Sequence, residues 1–236
     1  MARFLLVHGS CHGAWCWRDV IPALQALGHQ ADAIDLPSHG ADTTPLSEVT
    51  LPLYAEAILA AIEEPVILVG HSMGGYPITQ AAAIAPEKVA GLVYLCAYMP
   101  MEGMGLGDMR KLSDEQPLLA AIRPSADRQS FSFDPAEVER LFYHDCPPGT
   151  LDYALAHLTP QAVKPQITPV EGLARAEVLP RDYIVCSQDR AIPPSAQRDM
   201  AARVPEGRRH VLAASHSPFF AMPDALAVLL SEIAAP

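Results

Sequence analysis

The stretch PVILVGHSMGG, residues 65–75, decides the fold that the sequence predicts. An apolar run ends at Gly70, and Ser72 follows it between glycines. A buried strand that stops at a glycine and continues into small residues is typical of a tight strand-to-helix turn. Such a turn holds the serine hydroxyl out of the sheet edge, at the positive end of a helix. The pattern G-x-S-x-G (Gly70, Ser72, Gly74) therefore predicts an exposed nucleophile, and the alternative is a glycine-rich turn with an incidental serine.

Strands alternate with helices on both sides of this stretch. Apolar runs predict strands over residues 3–9, 30–37, 65–70, 89–100 and 179–189, and residues 208–217 predict the end of a last strand and the loop after it. Helical spacing of apolar residues predicts helices over residues 13–29, 51–64, 74–87, 191–204 and 222–235. The alternation is typical of parallel βαβ units. The predicted fold class is therefore α/β, with a mostly parallel central sheet flanked by helices.

The alternation weakens between residues 101 and 174. Turn-rich stretches such as MEGMGLGDMRK and several short helical pieces fill this segment. A long irregular insertion in a compact domain is usually a functional lid or a binding loop. We therefore expect a single α/β domain over residues 1–236, with a helical lid insertion at about 101–174. The alternative is a structural cap that plays no part in activity.

The composition indicates which classes of partner the chain can bind and in which compartment it works. Half of the 236 residues are hydrophobic and only 18% are charged, which predicts a sizeable core rather than a disordered chain. The formal net charge of −11 repels nucleic acids and anionic membrane surfaces, so we expect neither as a partner. The apolar run after Met1 is too short for a signal-peptide core, which predicts a cytoplasmic protein. Five scattered cysteines without a C-x-x-C pair predict reduced, mostly buried thiols.

A serine hydroxyl needs a general base within hydrogen-bond reach, and candidates for the base and its acid partner lie in the C-terminal half. In a strand–turn–helix site the chain order is Ser, then Asp or Glu, then His. His216 lies just past the last expected strand, in a loop that can carry it over the sheet edge, whereas His210 is fixed within that strand. Asp189 ends another expected strand and is the predicted acid. Glu102, beyond an earlier strand, is the alternative, and Asp182 precedes its strand at the wrong end.

The tetrahedral intermediate of such a reaction needs hydrogen-bond donors for its oxyanion. The backbone N–H of Met73, directly after the serine, is one predicted donor. The second is the N–H of Ser10, in the loop after the first strand, where Gly9 lets the backbone approach closely. His8 and His71 adjoin glycine turns, so we expect them to pack or hydrogen-bond locally. The sequence predicts no metal site.

Four stretches together resemble the α/β-hydrolase superfamily, and more narrowly the group of plant methylesterases, hydroxynitrile lyases and their bacterial relatives. They are LVHGSCHGAWCW, GHSMGG, CSQDRAIP and ASHSPFF, in this order along the chain. The resemblance covers almost the whole core and is weak across the insertion. It implies a catalytic triad of Ser72, His216 and Asp189, no cofactor, and small ester substrates that are often aromatic or hormone-like.

The group contains hydrolases and lyases, and two positions bear on the choice. Well-known lyases of the group carry threonine after the first strand's histidine and lysine directly after the catalytic histidine. Gly9 and Ser217 stand there in this chain, which favours hydrolysis. The sequence therefore predicts a carboxylesterase that cleaves a small, apolar or aromatic ester through an acyl-enzyme. The alternatives are hydroxynitrile-lyase cleavage on the same triad and a non-catalytic ligand-binding protein. The expected partner is a small-molecule ester, and a homodimer is an assembly that the sequence allows.

Overall fold

The computed structural model describes residues 1–235, through which strands and helices alternate. The strands are β1 (Arg3–Val7), β2 (Gln30–Ile34), β3 (Val66–His71), β4 (Val89–Leu95), β5 (Ile122–Pro124), β6 (Ser130–Phe133), β7 (Gln161–Ala162), β8 (Arg181–Cys186) and β9 (Arg209–Leu212). The α-helices are α1 (Val20–Ala26), α2 (Leu51–Ala60), α3 (Gly75–Ile84), α4 (Leu106–Lys111), α5 (Pro135–Val138), α6 (Thr150–His157), α7 (Lys164–Ile167), α8 (Leu173–Glu177), α9 (Pro194–Ala201), α10 (Pro218–Ala221) and α11 (Pro223–Ile233). None of the helices within residues 1–235 has the length and apolar character that crossing a bilayer requires.

Six strands form a central sheet in the order β2-β1-β3-β4-β8-β9, and every pairing between them is parallel. The sheet confirms the predicted α/β class. From β1 the chain moves outward on one side to β2 and later on the other side to β3, so the strand order reverses between β1 and β3. The register pairs Val7 with Gly70, which brings the loops after these two strands together. A crevice at the carboxyl ends of strands at such a reversal is the usual ligand site of an α/β sheet.

Alternate residues of β1 point into two separate hydrophobic layers, because side chains of a strand alternate between its faces. Leu5 and Val7 pack into one layer, where α2 and α3 lie against each other. Phe4 and Leu6 pack into the other, where α1 lies against α11. Both faces of the sheet are therefore covered, as an all-parallel sheet requires.

Most of the expected elements are shorter in the structure than the sequence predicts, and for two of them the structure shows why. The helix expected over residues 13–29 divides into a 3-10 helix at Ala14–Trp17 and α1. The Ala14 N–H donates to Oδ1 of Asp35 at 2.6 Å, which ties the first turn to the loop after β2. The strand expected over residues 89–100 ends at Leu95, because Cys96 adopts a φ of +36° that cannot continue a strand.

The insertion between β4 and β8 (residues 96–180) contains strands as well as helices. Besides the helices of the expected helical lid, the strands β5, β6 and β7 form a three-stranded antiparallel sheet that the sequence did not predict. These strands are two to four residues long, too short to leave a clear period-2 pattern in the sequence. The insertion also includes a π-helix at Glu139–Tyr143, which directly follows α5.

Candidate active site

Ser72 lies at a tight turn between β3 and α3. Its φ is +54°, a left-handed conformation that is unusual for a residue with a side chain. A Cβ atom at Gly70 would lie 2.6 Å from the carbonyl oxygen of Gly74. A Cβ at Gly74 would lie 2.8 Å from the carbonyl oxygen of His8. The flanking glycines therefore allow the turn to close, and it holds Ser72 in a strained backbone conformation beside the loop that follows β1.

The same close approach explains why residues 9 and 75 are glycines. A Cβ at Gly9 would lie 2.8 Å from Cβ of Ser72 and equally close to Nδ1 of His71. A Cβ at Gly75 would collide with the carbonyl oxygen of Tyr98. At both positions the neighbouring atoms are too close for any side chain, so glycine is needed for space.

His216 lies in the loop between β9 and α10 and is almost completely buried. Its Nδ1 donates to Oδ2 of Asp189 at 2.6 Å. Three further donors surround the carboxylate: the N–H groups of Ala191 and Ile192 on Oδ1, at 2.7 and 2.9 Å, and Nε2 of Gln197 on Oδ2, at 2.8 Å. Four donors suit an ionised carboxylate, which only accepts hydrogen bonds. With Nδ1 occupied as a donor, Nε2 of His216 is the basic nitrogen.

Hydrogen bonds to backbone groups of the loop hold His216 in place. The carbonyl oxygen of His216 accepts a hydrogen bond from Nε2 of His71 at 2.8 Å. Burial, followed by the neighbouring histidines, lowers the pKa of His71 well below its ordinary value, so the ring is neutral with its proton on Nε2. The N–H of Ser215 donates to Oδ2 of Asp145 in the insertion at 2.7 Å. The loop is therefore anchored to both the core and the insertion.

One cavity of about 30 Å³ collects four of the five residues that the sequence singled out: Ser10, Ser72, Met73 and His216. The fifth, Asp189, reaches it through its hydrogen bond to His216. Within residues 1–235 the Ser72 hydroxyl has no hydrogen bond to the imidazole. The three side chains predicted as nucleophile, base and acid thus belong to one site.

The competing residues lie elsewhere. Glu102 is exposed in a turn after β4. His210 bonds through Nε2 to Oδ1 of Asp182 at 2.9 Å, and Arg208 donates to the other carboxylate oxygen at 2.8 Å. Asp182 is the second residue of β8, so the expectation that it precedes the strand is wrong, although it does lie at the end away from Asp189. Neither member of this second acid–histidine pair lines the cavity that contains Ser72.

The profile of the alpha/beta hydrolase family matches residues 4–229, almost the whole chain. The chain belongs to this family. Methylesterase 7 of Arabidopsis thaliana is 33% identical to it, over 98% of this chain and 96% of the relative. Salicylic acid-binding protein 2 of Nicotiana tabacum is 31% identical over the same shares of the two chains. A pyrethroid hydrolase from Sphingobium faniae JZ-2 superposes with a TM-score of 0.83 at 30% identity, over 100% of this chain and 98% of that one. The chain is thus an alpha/beta hydrolase of the methylesterase group.

Histidines of this alpha/beta hydrolase shape the loop that carries Ser10. Nδ1 of His12 donates to the carbonyl oxygen of Ser10 at 2.8 Å, and Nε2 accepts from the Tyr143 hydroxyl at 2.6 Å. Burial lowers the pKa of His12 to about 4, so the ring is neutral, as this pair of bonds requires. Nε2 of His8 accepts from the N–H of Leu36 at 3.1 Å. Nδ1 of His8 donates to the carbonyl oxygen of the adjacent Gly9 at 2.8 Å, which confirms the local hydrogen bond expected for His8.

Four further residues contact the site, and the sequence did not single them out. They are Asp145, Gln166, Gln197 and Tyr143. Nε2 of Gln166 donates to Oγ of Ser10 at 3.1 Å, across more than 150 residues of chain. Three of the four lie in the insertion, where the resemblance was weak, and no motif marks them. Their contacts depend on how the insertion folds back over the sheet.

His71, Cys96 and His216 place potential metal-ligand atoms within 4.8 Å of one another, a cluster that the sequence did not reveal. Both histidines already use one ring nitrogen for the bonds described above. Burial raises the pKa of the Cys96 thiol well above its ordinary value, so the sulfur stays protonated and donates to the carbonyl oxygen of His216 at 3.6 Å. The cluster therefore serves as a hydrogen-bonded support for the His216 loop.

His8 and His12 are four residues apart, a spacing that on a helix can place two histidines on one face to bind a metal. Both lie in a loop, where that spacing does not align their rings.

Proposed function

We propose that this alpha/beta hydrolase is a serine carboxylesterase that cleaves a small carboxylic ester through an acyl-enzyme. The observation that carries the proposal is the 2.6 Å hydrogen bond between His216 and Asp189 beside a cavity that Ser72 shares with His216. The names of the relatives, methylesterases and a pyrethroid hydrolase, agree with ester cleavage. The steps below need no cofactor.

In the first half-reaction Ser72 is the nucleophile and His216 the general base. Oγ attacks the ester carbonyl while Nε2 of the imidazole takes the hydroxyl proton. Asp189 remains ionised, keeps Nδ1 protonated and stabilises the imidazolium that forms. The N–H groups of Ser10 and Met73 donate to the oxyanion, and the Ser10 N–H has no other hydrogen bond within residues 1–235. The imidazolium then protonates the departing alcohol, and the acyl group stays on Ser72.

In the second half-reaction water replaces the alcohol. His216 removes a proton from the water as it attacks the acyl carbonyl, and the same oxyanion donors act again. Collapse of the intermediate returns the proton to Oγ of Ser72 and releases the acid. In each half-reaction His216 first accepts a proton and then donates it, so its imidazole must be neutral at the start of each.

The lining of the cavity supports an apolar or aromatic acyl or alcohol group next to the scissile bond. Seven of the fifteen residues that line it are apolar: Met73, Leu106, Leu118, Ile122, Phe131, Phe133 and Phe142. Pockets of this composition bind apolar groups through burial of their surface. Ser217, after the base, is buried and uncharged, so this position offers no cation to a cyanide leaving group. This supports hydrolysis over the lyase alternative.

The decisive experiment replaces Ser72 with alanine and uses Ser47→Ala, an exposed serine, as the control. We expect Ser72→Ala to lower kcat on methyl and 4-nitrophenyl esters by a factor on the order of 10⁶. It should also abolish labelling by a fluorophosphonate probe, while Ser47→Ala changes neither. Retention of most of the activity in Ser72→Ala would remove the serine from the mechanism. Failure of the native chain to react with the probe would favour a non-catalytic ligand-binding protein, and cyanide release from mandelonitrile would favour the lyase.

A further inference from the structure

A second, larger cavity adjoins the cavity at Ser72. Its volume is about 250 Å³, against about 30 Å³ at the serine. Tyr98, Arg110 and Leu118 line both cavities and so form the junction between them. The larger cavity lies between the first part of the insertion and the segment that leads into α9. A substrate whose ester reaches Ser72 can therefore extend past this junction into a space several times larger.

Arg110, at the end of α4, brings an unpaired cation to the junction. Its Nε is buried and has no hydrogen-bond partner. Its guanidinium forms no salt bridge within residues 1–235. A buried donor without a partner is costly, and more so when the group is charged. Such a group in a cavity wall is suited to a ligand that supplies the missing acceptor.

Tyr98 adds a second donor at the same place. Its hydroxyl makes no hydrogen bond within residues 1–235, although the side chain is largely buried. Burial raises the pKa of Tyr98, and the nearby Arg110 guanidinium only partly opposes this effect, so the hydroxyl remains protonated. The junction therefore presents a guanidinium and a phenolic O–H, both without protein acceptors.

Other charged side chains of the larger cavity do not neutralise Arg110. Asp114, Glu115 and Asp199 are exposed, at the rim. The guanidinium of Arg203 is already occupied, since it donates to the carbonyl oxygens of Met99 and Pro100 at 2.9 and 2.6 Å. The cation available to a bound molecule is therefore that of Arg110.

We propose that Arg110 and Tyr98 bind a carboxylate of the substrate, and that the preferred substrate is a monoester of a dicarboxylic acid. The ester reaches Ser72, and the free carboxylate of the same acyl chain accepts hydrogen bonds at the junction. A guanidinium matches a carboxylate in charge and in its two-donor geometry, and a charge-assisted bond is stronger than one to a neutral carbonyl. This proposal rests on the proposed esterase function and adds its substrate class.

The test compares monomethyl esters of straight-chain diacids, from succinate to suberate, with the matching methyl esters whose free acid is a primary amide. Each pair has the same shape and differs in charge. For at least one chain length we expect the native enzyme to favour the acid at least tenfold in kcat/KM. Arg110→Gln should remove this preference, and Arg110→Lys should keep part of it. Lys111→Gln, the exposed neighbour on α4, is the control and should keep all of it.

Binding is measured separately, by titration calorimetry of the same ligands against Ser72→Ala. We expect Arg110→Gln in this background to weaken binding of the preferred monoacid at least tenfold. Equal kcat/KM for acid and amide at every length, or a preference that survives Arg110→Gln, would overturn the proposal. If the native chain binds the monoacid through Arg110 but cleaves neither ester, the carboxylate site stands and the esterase function fails. Circular dichroism and thermal midpoints of each variant report whether a loss reflects unfolding.

Discussion

Gln197 shows how one side chain can organise the acid of the candidate site. It lies on α9 and is completely buried. Its Nε2 donates to Oδ2 of Asp189 and to the carbonyl oxygen of Ile192, both at 2.8 Å. Its Oε1 accepts from the N–H of Cys186, at the end of β8, at 2.9 Å. One amide thus joins the strand, the turn and the carboxylate.

We expect Gln197→Ala to reduce both stability and turnover. The substitution leaves partners on Asp189, Ile192 and Cys186 unsatisfied, and each such loss costs about 1–3 kcal/mol when buried. The free energy of unfolding in urea should therefore fall by at least about 2 kcal/mol. The kcat should fall at least tenfold, because the carboxylate loses a donor that fixes its orientation. Gln188→Ala, an exposed glutamine before the acid, is the control. Unchanged kcat in folded Gln197→Ala would show that Asp189 is held without it.

At the scale of residues, the sequence predicted the site residues at the ends of strands. It did not predict the side chains that hydrogen-bond to them and hold them in place. Ser72 stands in a motif, and Asp189 and His216 each follow a predicted strand, so sheet topology alone brings them to one edge. Gln197 and Asp145 reach the site from a helix face and from the insertion. Their sequence neighbourhoods resemble any amphipathic or irregular segment, so no local pattern distinguishes them. The role of a supporting residue depends on a contact, and contacts require the folded chain.

At the scale of elements, the site depends on how closely α3 and the turn before it approach the loop after β1. Gly74 sets this distance. Its backbone has an ordinary right-handed helical conformation, with a φ of −54°. A Cβ there would lie 2.8 Å from the carbonyl oxygens of Val7 and His8. Glycine is therefore needed for space and not for backbone freedom.

We expect Gly74→Ala to push the turn away from β1. Overpacking of this kind destabilises a protein by about 1–3 kcal/mol, and the shift should displace Ser72 and lower kcat. Gly207→Ala is the matched control, because a Cβ at Gly207 would meet nothing within 4 Å. It should leave both stability and kcat close to native. Urea denaturation and ester hydrolysis of the two variants give the comparison. If the two variants have the same free energy of unfolding, β1 can shift to make room for the alanine without loss of stability.

The elements of the central sheet were predictable, because buried parallel strands are continuous apolar runs and the helices between them are amphipathic. The insertion was not. Its strands have two to four residues, and one of them, β6, uses a single face, with Phe131 and Phe133, to line the cavity at Ser72. A segment with so few residues per element carries little periodicity. Its structure depends on packing against the sheet, which the sequence does not display locally.

At the scale of the whole molecule, buried histidines around the site make folding stability depend on pH. His8, His12, His39 and His71 are all buried at or near the carboxyl end of the sheet. Burial is the first cause of the lowered pKa of each. The rings of His8 and His39 lie 4.9 Å apart, so protonating one disfavours protonating the other. The folded state therefore keeps this group of histidines neutral.

We expect the protein to lose stability as the pH falls below about 6.5, the ordinary pKa of histidine in an unfolded chain. A lowered folded pKa means that the unfolded state binds protons first, so the free energy of unfolding is highest above that value and decreases as the pH drops towards the folded pKa, about 4 for His12. Each such histidine contributes up to about 1.4 kcal/mol between roughly pH 7.5 and 5.5. Urea denaturation across this range measures the slope. His12→Gln should make it shallower by about half a proton on average over this range. His157→Gln, at an exposed histidine, is the matched control for the exchange itself. A slope equal to that of the native chain in His12→Gln would mean that His12 titrates alike in both states.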